Sequence, residues 1–288
     1  MRALYERHRL LFRGEIKIKI QYLPACSALA LASAAPLFAQ AVVPAQCVGA
    51  STNCSVVDQN GDTLTADVDQ TDTGNVSEIE QDGTGLTADV DQGADDNISN
   101  ITQDASGAGS SGLSAMVTQD GGADSVITQI AAGTDGSGIM AVVIQDGESS
   151  STISQTFNLA DSTNFSATVN QTGDGHGSLI SQSDDAVSAN DPDFNMTATV
   201  TQTNADNSSS VIQLNQRNTA TVSQSGTNST SFVNQTERSN KATLVQSRDT
   251  NSSNIDQTRV AGTALVTQSS SFNTSEIDQG ATAITPLQ

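Results

Sequence analysis

An aliphatic residue, one intervening residue and a glutamine recur nineteen times along the chain. The glutamines are Gln59, Gln70, Gln81, Gln92, Gln103, Gln119, Gln129, Gln145, Gln155, Gln171, Gln182, Gln202, Gln213, Gln224, Gln235, Gln246, Gln257, Gln268 and Gln279. Two positions before each stands Val or Ile, or in one case Leu (Leu244). Four positions before, the residue alternates strictly between Ser and Ala, from Ser55, Ala66, Ser77 and Ala88 through to Ala264 and Ser275. Small or aliphatic residues thus alternate with mostly polar ones, as in Ala66-Asp67-Val68-Asp69-Gln70. A period of two over five to seven residues, rich in β-branched side chains, predicts a strand with one buried face. Between the strands lie turn dipeptides such as Asn60-Gly61, Asp82-Gly83, Asp120-Gly121 and Asp146-Gly147.

The Ser/Ala alternation makes the true unit two strands, 22 residues long where the glutamines are 11 apart. Repeated strand-turn-strand-turn units bury their apolar faces by stacking on one another. The expected fold is therefore all-β, a β-solenoid of about nine to ten rungs over 55–279. An inward Gln is costly when unpaired, but an in-register parallel stack lets each amide donate to one neighbour and accept from the other. Wider intervals, Gln103 to Gln119, Gln129 to Gln145, Gln155 to Gln171 and Gln182 to Gln202, all follow a Ser-type strand. Their extra residues, about 104–112, 130–138, 156–164 and 183–195, should project along one edge, as surface insertions or as a recognition strip.

Composition agrees with a thin interior. Of 288 residues 3% are aromatic, with no Trp and 22 Gly, which rules out a thick close-packed core. Eleven Lys+Arg face 32 Asp+Glu, a net charge of -21, which excludes a nucleic-acid binder that works by neutralising phosphates. With only 15% charged residues and many Val, Ile and Thr, a charge-expanded disordered coil is disfavoured as well.

Residues 1–41 differ from the rest. Arg2, Arg7, Arg9, Arg13, Lys17 and Lys19 precede an Ala/Leu-rich stretch from Tyr22 to Phe38, and Ala39-Gln40-Ala41 reads as a cleavage site. This is the layout of a secretory signal peptide, and Pro24 and Pro36 argue against the alternative of a membrane anchor. Its removal leaves five basic and 30 acidic residues, a net charge near -25. It also leaves Cys47 and Cys54 as an even pair, expected to form a disulfide in an oxidising compartment within a short segment, 42–54. Residues 280–288 form a tail in which Pro286 could act as a partial cap.

Candidate chemistry is sparse. His8 lies in the leader and His176 at a repeat position, so no His-based triad or metal cluster assembles, and neither a catalytic site nor a cofactor is expected. An acidic stripe runs along the early rungs: Asp67, Asp69, Glu78, Glu80, Asp89 and Asp91. Asp67 and Asp89, with Asp69 and Asp91, are candidates for a bridging divalent cation such as calcium; the alternative is a solvated anionic face. The five basic residues outside the leader, Arg217, Arg238, Lys241, Arg248 and Arg259, lie near the other end. That polarity would favour head-to-tail stacking.

The repeats resemble the curlin repeat of bacterial curli subunits, Ser-x5-Gln-x-Gly-x-x-Asn-x5-Gln. Asn218-Thr219-Ala220-Thr221-Val222-Ser223-Gln224 is similar to its Asn-initiated half, and Asn75, Asn97, Asn207, Asn240, Asn251 and Asn273 stand at the same place. The likeness covers about residues 53–279. It departs where Leu64, Leu86, Leu113, Ile139, Phe165 and Met196 replace the Asn, and the rungs outnumber those usual for the family. The resemblance implies a secreted subunit that polymerises with itself into extracellular amyloid fibres on the surface of a Gram-negative bacterium. Such fibres support biofilm matrix, adhesion and cell aggregation; the implied partners are a nucleator subunit and an outer-membrane secretion machinery. The alternative is a non-polymerising surface β-solenoid, an adhesin or an ice-binding protein. Thr197, Thr199, Thr201, Thr219 and Thr221 would suit ice.

Overall fold

A computed structural model describes residues 41–48, 52–158, 163–184 and 195–280. The expected leader up to Gln40, much of the two later insertions and the tail from Ala281 lie outside the described residues. Contacts divide the chain into Met1–Ala35, wholly outside that set, and Pro36–Gln288.

Among the described residues nineteen strands follow one another. They begin with β1 (Cys54–Asp62), β2 (Thr65–Gln70), β3 (Val76–Thr84), β4 (Thr87–Gln92), β5 (Ile98–Asp104), β6 (Leu113–Asp120) and β7 (Asp124–Ala131). Next come β8 (Ile139–Asp146), β9 (Ser150–Phe157), β10 (Phe165–Thr172), β11 (Gly177–Ser183), β12 (Met196–Thr203) and β13 (Ser208–Leu214). The series closes with β14 (Thr219–Gln224), β15 (Thr230–Gln235), β16 (Lys241–Gln246), β17 (Ser252–Gln257), β18 (Thr263–Gln268) and β19 (Thr274–Asp278).

The odd-numbered, Ser-type strands form a ten-stranded sheet and the even-numbered, Ala-type strands a nine-stranded one. Every pair in both sheets is parallel, and the repeat sets the register: Ile79 pairs with Ile101, Ala66 with Ala88, Gln171 with Gln202. The chain is a β-solenoid of the expected kind. Consecutive rungs are 22 residues apart at the two ends and 26 to 31 apart where insertions intervene.

The interior is one continuous apolar column. It is built from the aliphatic residues two before each Gln and the Ala residues of the even strands, for example Ile79, Val90, Ala115, Val143 and Val169. A second column runs along the turn from Ser-type to Ala-type strands: Leu86, Leu113, Ile139, Phe165 and Met196, joined by Ala105, Ala131 and Phe157. These residues stand where the curlin motif has Asn, and Ala105, Ala131 and Phe157 open three of the four insertions. The insertions thus accompany an enlarged, apolar turn rather than being surface additions alone. The Phe157 and Phe165 ring centroids are 3.9 Å apart. Tight stacking makes glycine obligatory in places: Gly61 has φ 137°, and a Cβ there would lie 1.8 Å from the Gly83 carbonyl oxygen of the next rung.

Residues 41–48 lie as a strap on the outward face of the Ser-type sheet. The Val42 N–H donates to Asn100 Oδ1 at 2.9 Å, and Asn100 Nδ2 donates to the Val42 carbonyl at 3.1 Å. Cys47 is buried and disulfide-bonded to Cys54, which is already part of β1, and Val76 is buried on the same face.

Candidate functional site: side-chain ladders and open ends

Every Gln of the repeat takes part in one of two hydrogen-bonded ladders. In the Ser-type sheet Nε2 of Gln59, Gln81, Gln103, Gln129, Gln155, Gln182, Gln213, Gln235 and Gln257 each donates to Oε1 of the next, ending at Gln279. The N···O distances run from 2.6 to 2.9 Å. In the Ala-type sheet Gln70, Gln92, Gln119, Gln145, Gln171, Gln202, Gln224 and Gln246 do the same, ending at Gln268. The same nitrogen also donates across the interior to a backbone carbonyl on the preceding half-turn: Gln81 to Thr65, Gln92 to Val76, Gln103 to Thr87. Both N–H groups of each amide from Gln70 to Gln257 are used, so their burial leaves no donor unpaired. All amides point one way, donating towards the C-terminal end.

A third ladder follows the turn that enters the Ser-type strands. Asn53, Asn75, Asn97, Asn207 and Asn251 offer Oδ1 to the backbone N–H of the corresponding residue one rung on. His176 takes the same place, 2% exposed. Its Nδ1 accepts the Asn207 N–H at 3.3 Å and its Nε2–H donates to the Thr172 carbonyl at 3.1 Å, which fixes the neutral tautomer. Burial pushes the imidazole below its ordinary 6.5, although the Thr172 carbonyl and the carboxylates of Asp206 and Asp174 oppose that shift.

One inward row is unpaired. The hydroxyls of Ser77, Ser99, Ser125, Ser151, Ser178, Ser209, Ser231 and Ser253 are buried without a hydrogen-bond partner. They face an interior closed by Ala, and stacked rungs 4.7–4.9 Å apart hold successive hydroxyls beyond bonding distance. The Ser/Ala alternation marks the row, but the sequence carries no sign that the hydroxyls go unpaired.

The acidic stripe divides between the two faces. Asp67 pairs in register with Asp89 and Asp69 with Asp91 on the Ala-type face, whereas Glu78 and Glu80 lie on the Ser-type face. Among the described residues no group of three or more His, Cys, Asp or Glu side chains is placed to hold a metal ion, so the four aspartates make two pairs and no cage. Glu80 carries the electrostatic cost: burial first, then the charges of Asp58, Glu78, Asp82 and Asp104, raise its carboxyl above 4.5.

The two ends of the stack differ. Among the described residues, β1 and β2 have no strand before them at one end, and β18 and β19 have none after at the other. Gln59 and Gln70 present Oε1 with no donor among the described residues. Among the described residues Gln268 and Gln279 each donate only to a backbone carbonyl, of Ser252 and Thr263, which leaves one amide N–H to give. No protein-family model matches this chain, and no curated protein matches it. Its reading therefore rests on its own geometry.

Proposed function

We propose that the chain is a secreted structural subunit that polymerises into curli-like extracellular fibres. The observation that carries this is the pair of unlike open ends. Among the described residues, acceptors of two amide ladders are left unpaired at one end and donors at the other, on strands whose outer backbone edges have no partner strand. An exposed parallel edge gains hydrogen bonds and apolar burial by acquiring a further rung, and a second copy supplies one of matching pattern. The resemblance to the curlin repeat adds the biological setting: export across a Gram-negative envelope, with the leader and secretion machinery serving it, and fibres for adhesion and biofilm matrix. This role requires no catalytic residue and no cofactor.

Incubating residues 42–288 under non-denaturing conditions tests the proposal. Fibres with thioflavin fluorescence and diffraction spacings near 4.7 and 10 Å are expected. A chain that stays a monodisperse monomer would refute it.

A second reading, a surface solenoid that stays monomeric and binds a flat lattice such as ice, draws on one observation. Thr197, Thr199 and Thr201 stack on Thr219, Thr221 and Ser223 on the outward Ala-type face. The array is short: Lys241 follows on one side, and on the other Met140, Val142 and Ile144 adjoin Ser166, Thr168 and Asn170. Measured thermal hysteresis in the monomer would favour this reading over the fibre.

A further inference from the structure

We propose that successive copies in the fibre are turned by 180° about the stacking axis, so that Ser-type and Ala-type sheets swap sides at every junction. This rests on the polymerisation proposed above and specifies its interface. The argument begins with the number of strands. Among the described residues ten Ser-type and nine Ala-type strands make a half-integral number of rungs. The spiral climbs on both sides, because each Gln donates to the strand just before it on the opposite sheet: Gln70 to the Cys54 carbonyl, Gln81 to Thr65, Gln268 to Ser252 and Gln279 to Thr263. After β19 the next half-turn therefore belongs on the Ala-type side, over β18.

A copy added by translation alone would set its Ser-type β1 on β19. The Ala-type sheet would then lack one strand at the junction, with Gln268 N–H and the incoming Gln70 Oε1 buried and unpaired. Each orphaned group costs the junction a hydrogen bond's worth of desolvation. A half-turn about the axis removes the gap. It carries β1, still parallel, onto β18, and β2 onto β19.

The residues brought together then match. Ser55 falls over Ala264, Val57 over Val266 and Gln59 over Gln268; Ala66 falls over Ser275, Val68 over Ile277 and Gln70 over Gln279. Gln268 and Gln279 give their remaining N–H groups to Gln59 and Gln70, and Gln59 donates to the Thr274 carbonyl as its counterparts do to theirs. The turns match too. Gln59 to Gln70 and Gln268 to Gln279 are both 11 residues, free of insertions. Each holds a left-handed residue at the same place, Thr63 at φ 56° and Phe272 at φ 62°. The chain's own continuation is a poor competitor for that place: in repeat register Pro286 would fall over Ala264, and proline has no N–H for the ladder.

Cysteine cross-linking between mixed batches of 42–288 reads the junction directly. Asp58, Thr267 and Asp278 are exposed outward positions. In turned copies Asp58→Cys lies one strand spacing, about 4.8 Å, from Thr267→Cys, within disulfide reach. In translated copies it lies beside Asp278→Cys. Oxidised fibres should give the Asp58–Thr267 dimer in at least about tenfold excess over the Asp58–Asp278 dimer. A second pair, Thr65→Cys with Thr274→Cys, should also cross-link in turned copies and not in translated ones, and so guards against one variant disturbing its own strand. Fibres whose dominant dimer is Asp58–Asp278 overturn the half-turn while leaving polymerisation standing. Failure of the unsubstituted chain to form cross-β fibres overturns both.

Discussion

Replacing Gln171 with Ala tests whether the amide ladder stabilises the folded chain. The side chain is fully buried, accepts from Gln145 Nε2 at 2.9 Å, and donates to Gln202 Oε1 at 2.8 Å and to the Ser150 carbonyl at 3.2 Å. Truncation orphans one donor and two acceptors in the interior, at roughly 1–3 kcal/mol each. Gln145 keeps its bond to the Asp124 carbonyl, which moderates the loss, so a total of about 3–6 kcal/mol is expected. Gln59→Ala, at an exposed end, removes one donated bond and should cost only about 0.5–1.5 kcal/mol. Urea titration of dilute, unassembled chain followed by far-UV circular dichroism measures both, as the protein has no Trp. Fibre growth should rank them the other way. Gln59→Ala and Gln279→Ala should slow elongation more than Gln171→Ala, because only the end residues join molecules. A loss below about 1 kcal/mol at Gln171, or equal losses at 59 and 171, would show that the ladder is geometry without energetic weight.

Other outcomes follow from the turns and faces. His176 has a folded-state pKa below 6.5, so the native chain binds fewer protons than the unfolded one as pH falls through that value. Stability should be full above 6.5 and decline below it, and His176→Asn should remove that part of the pH dependence in urea titrations between about pH 5 and 6.5. Phe165→Ala, in the apolar turn column against Phe157, should cost about 3–5 kcal/mol in the same titration; a loss under 1 would mean the insertions merely decorate the surface. Neutralising one register pair, Asp67→Asn with Asp89→Asn, should speed assembly at low salt and weaken its salt dependence. Unchanged kinetics would remove charge repulsion as a brake on stacking.

Much of this architecture was legible because period two and a fixed interval are both visible along a single strand of text. Strand positions, parallel register and the pairing of Gln with Gln all follow from the repeat. What escaped was whatever depends on which turn lies over which. In the sequence Leu86, Leu113, Ile139, Phe165 and Met196 stand out only as departures from Asn, and their union with Ala105, Ala131 and Phe157 into a column appears once the rungs are stacked. His176 gave no hint that its ring substitutes for an Asn side chain as acceptor. The strap could not be placed either, since residues 41–48 belong to no repeat and their anchor, Asn100, lies 58 residues from Val42. Of the acidic stripe, the pattern gave the pairs and the strand type of each member, but not the burial of Glu80.

The uniform direction of the Gln amides has an electrical consequence. Nineteen side-chain dipoles lie head to tail in two files, and like the peptide dipoles of a helix they leave partial charge at the ends, negative at Gln59 and Gln70, positive at Gln268 and Gln279. The formal charges are graded along the chain as well: the paired aspartates on β2 and β4 leave one end strongly negative, whereas Arg238, Lys241, Arg248 and Arg259 towards the other offset Glu237, Asp249, Asp256, Glu276 and Asp278. Within one molecule like sign is held beside like sign. Between molecules unlike ends meet, so a stack of any length keeps a distinguishable front and back, and a growing tip presents a field of one sign to the next arrival.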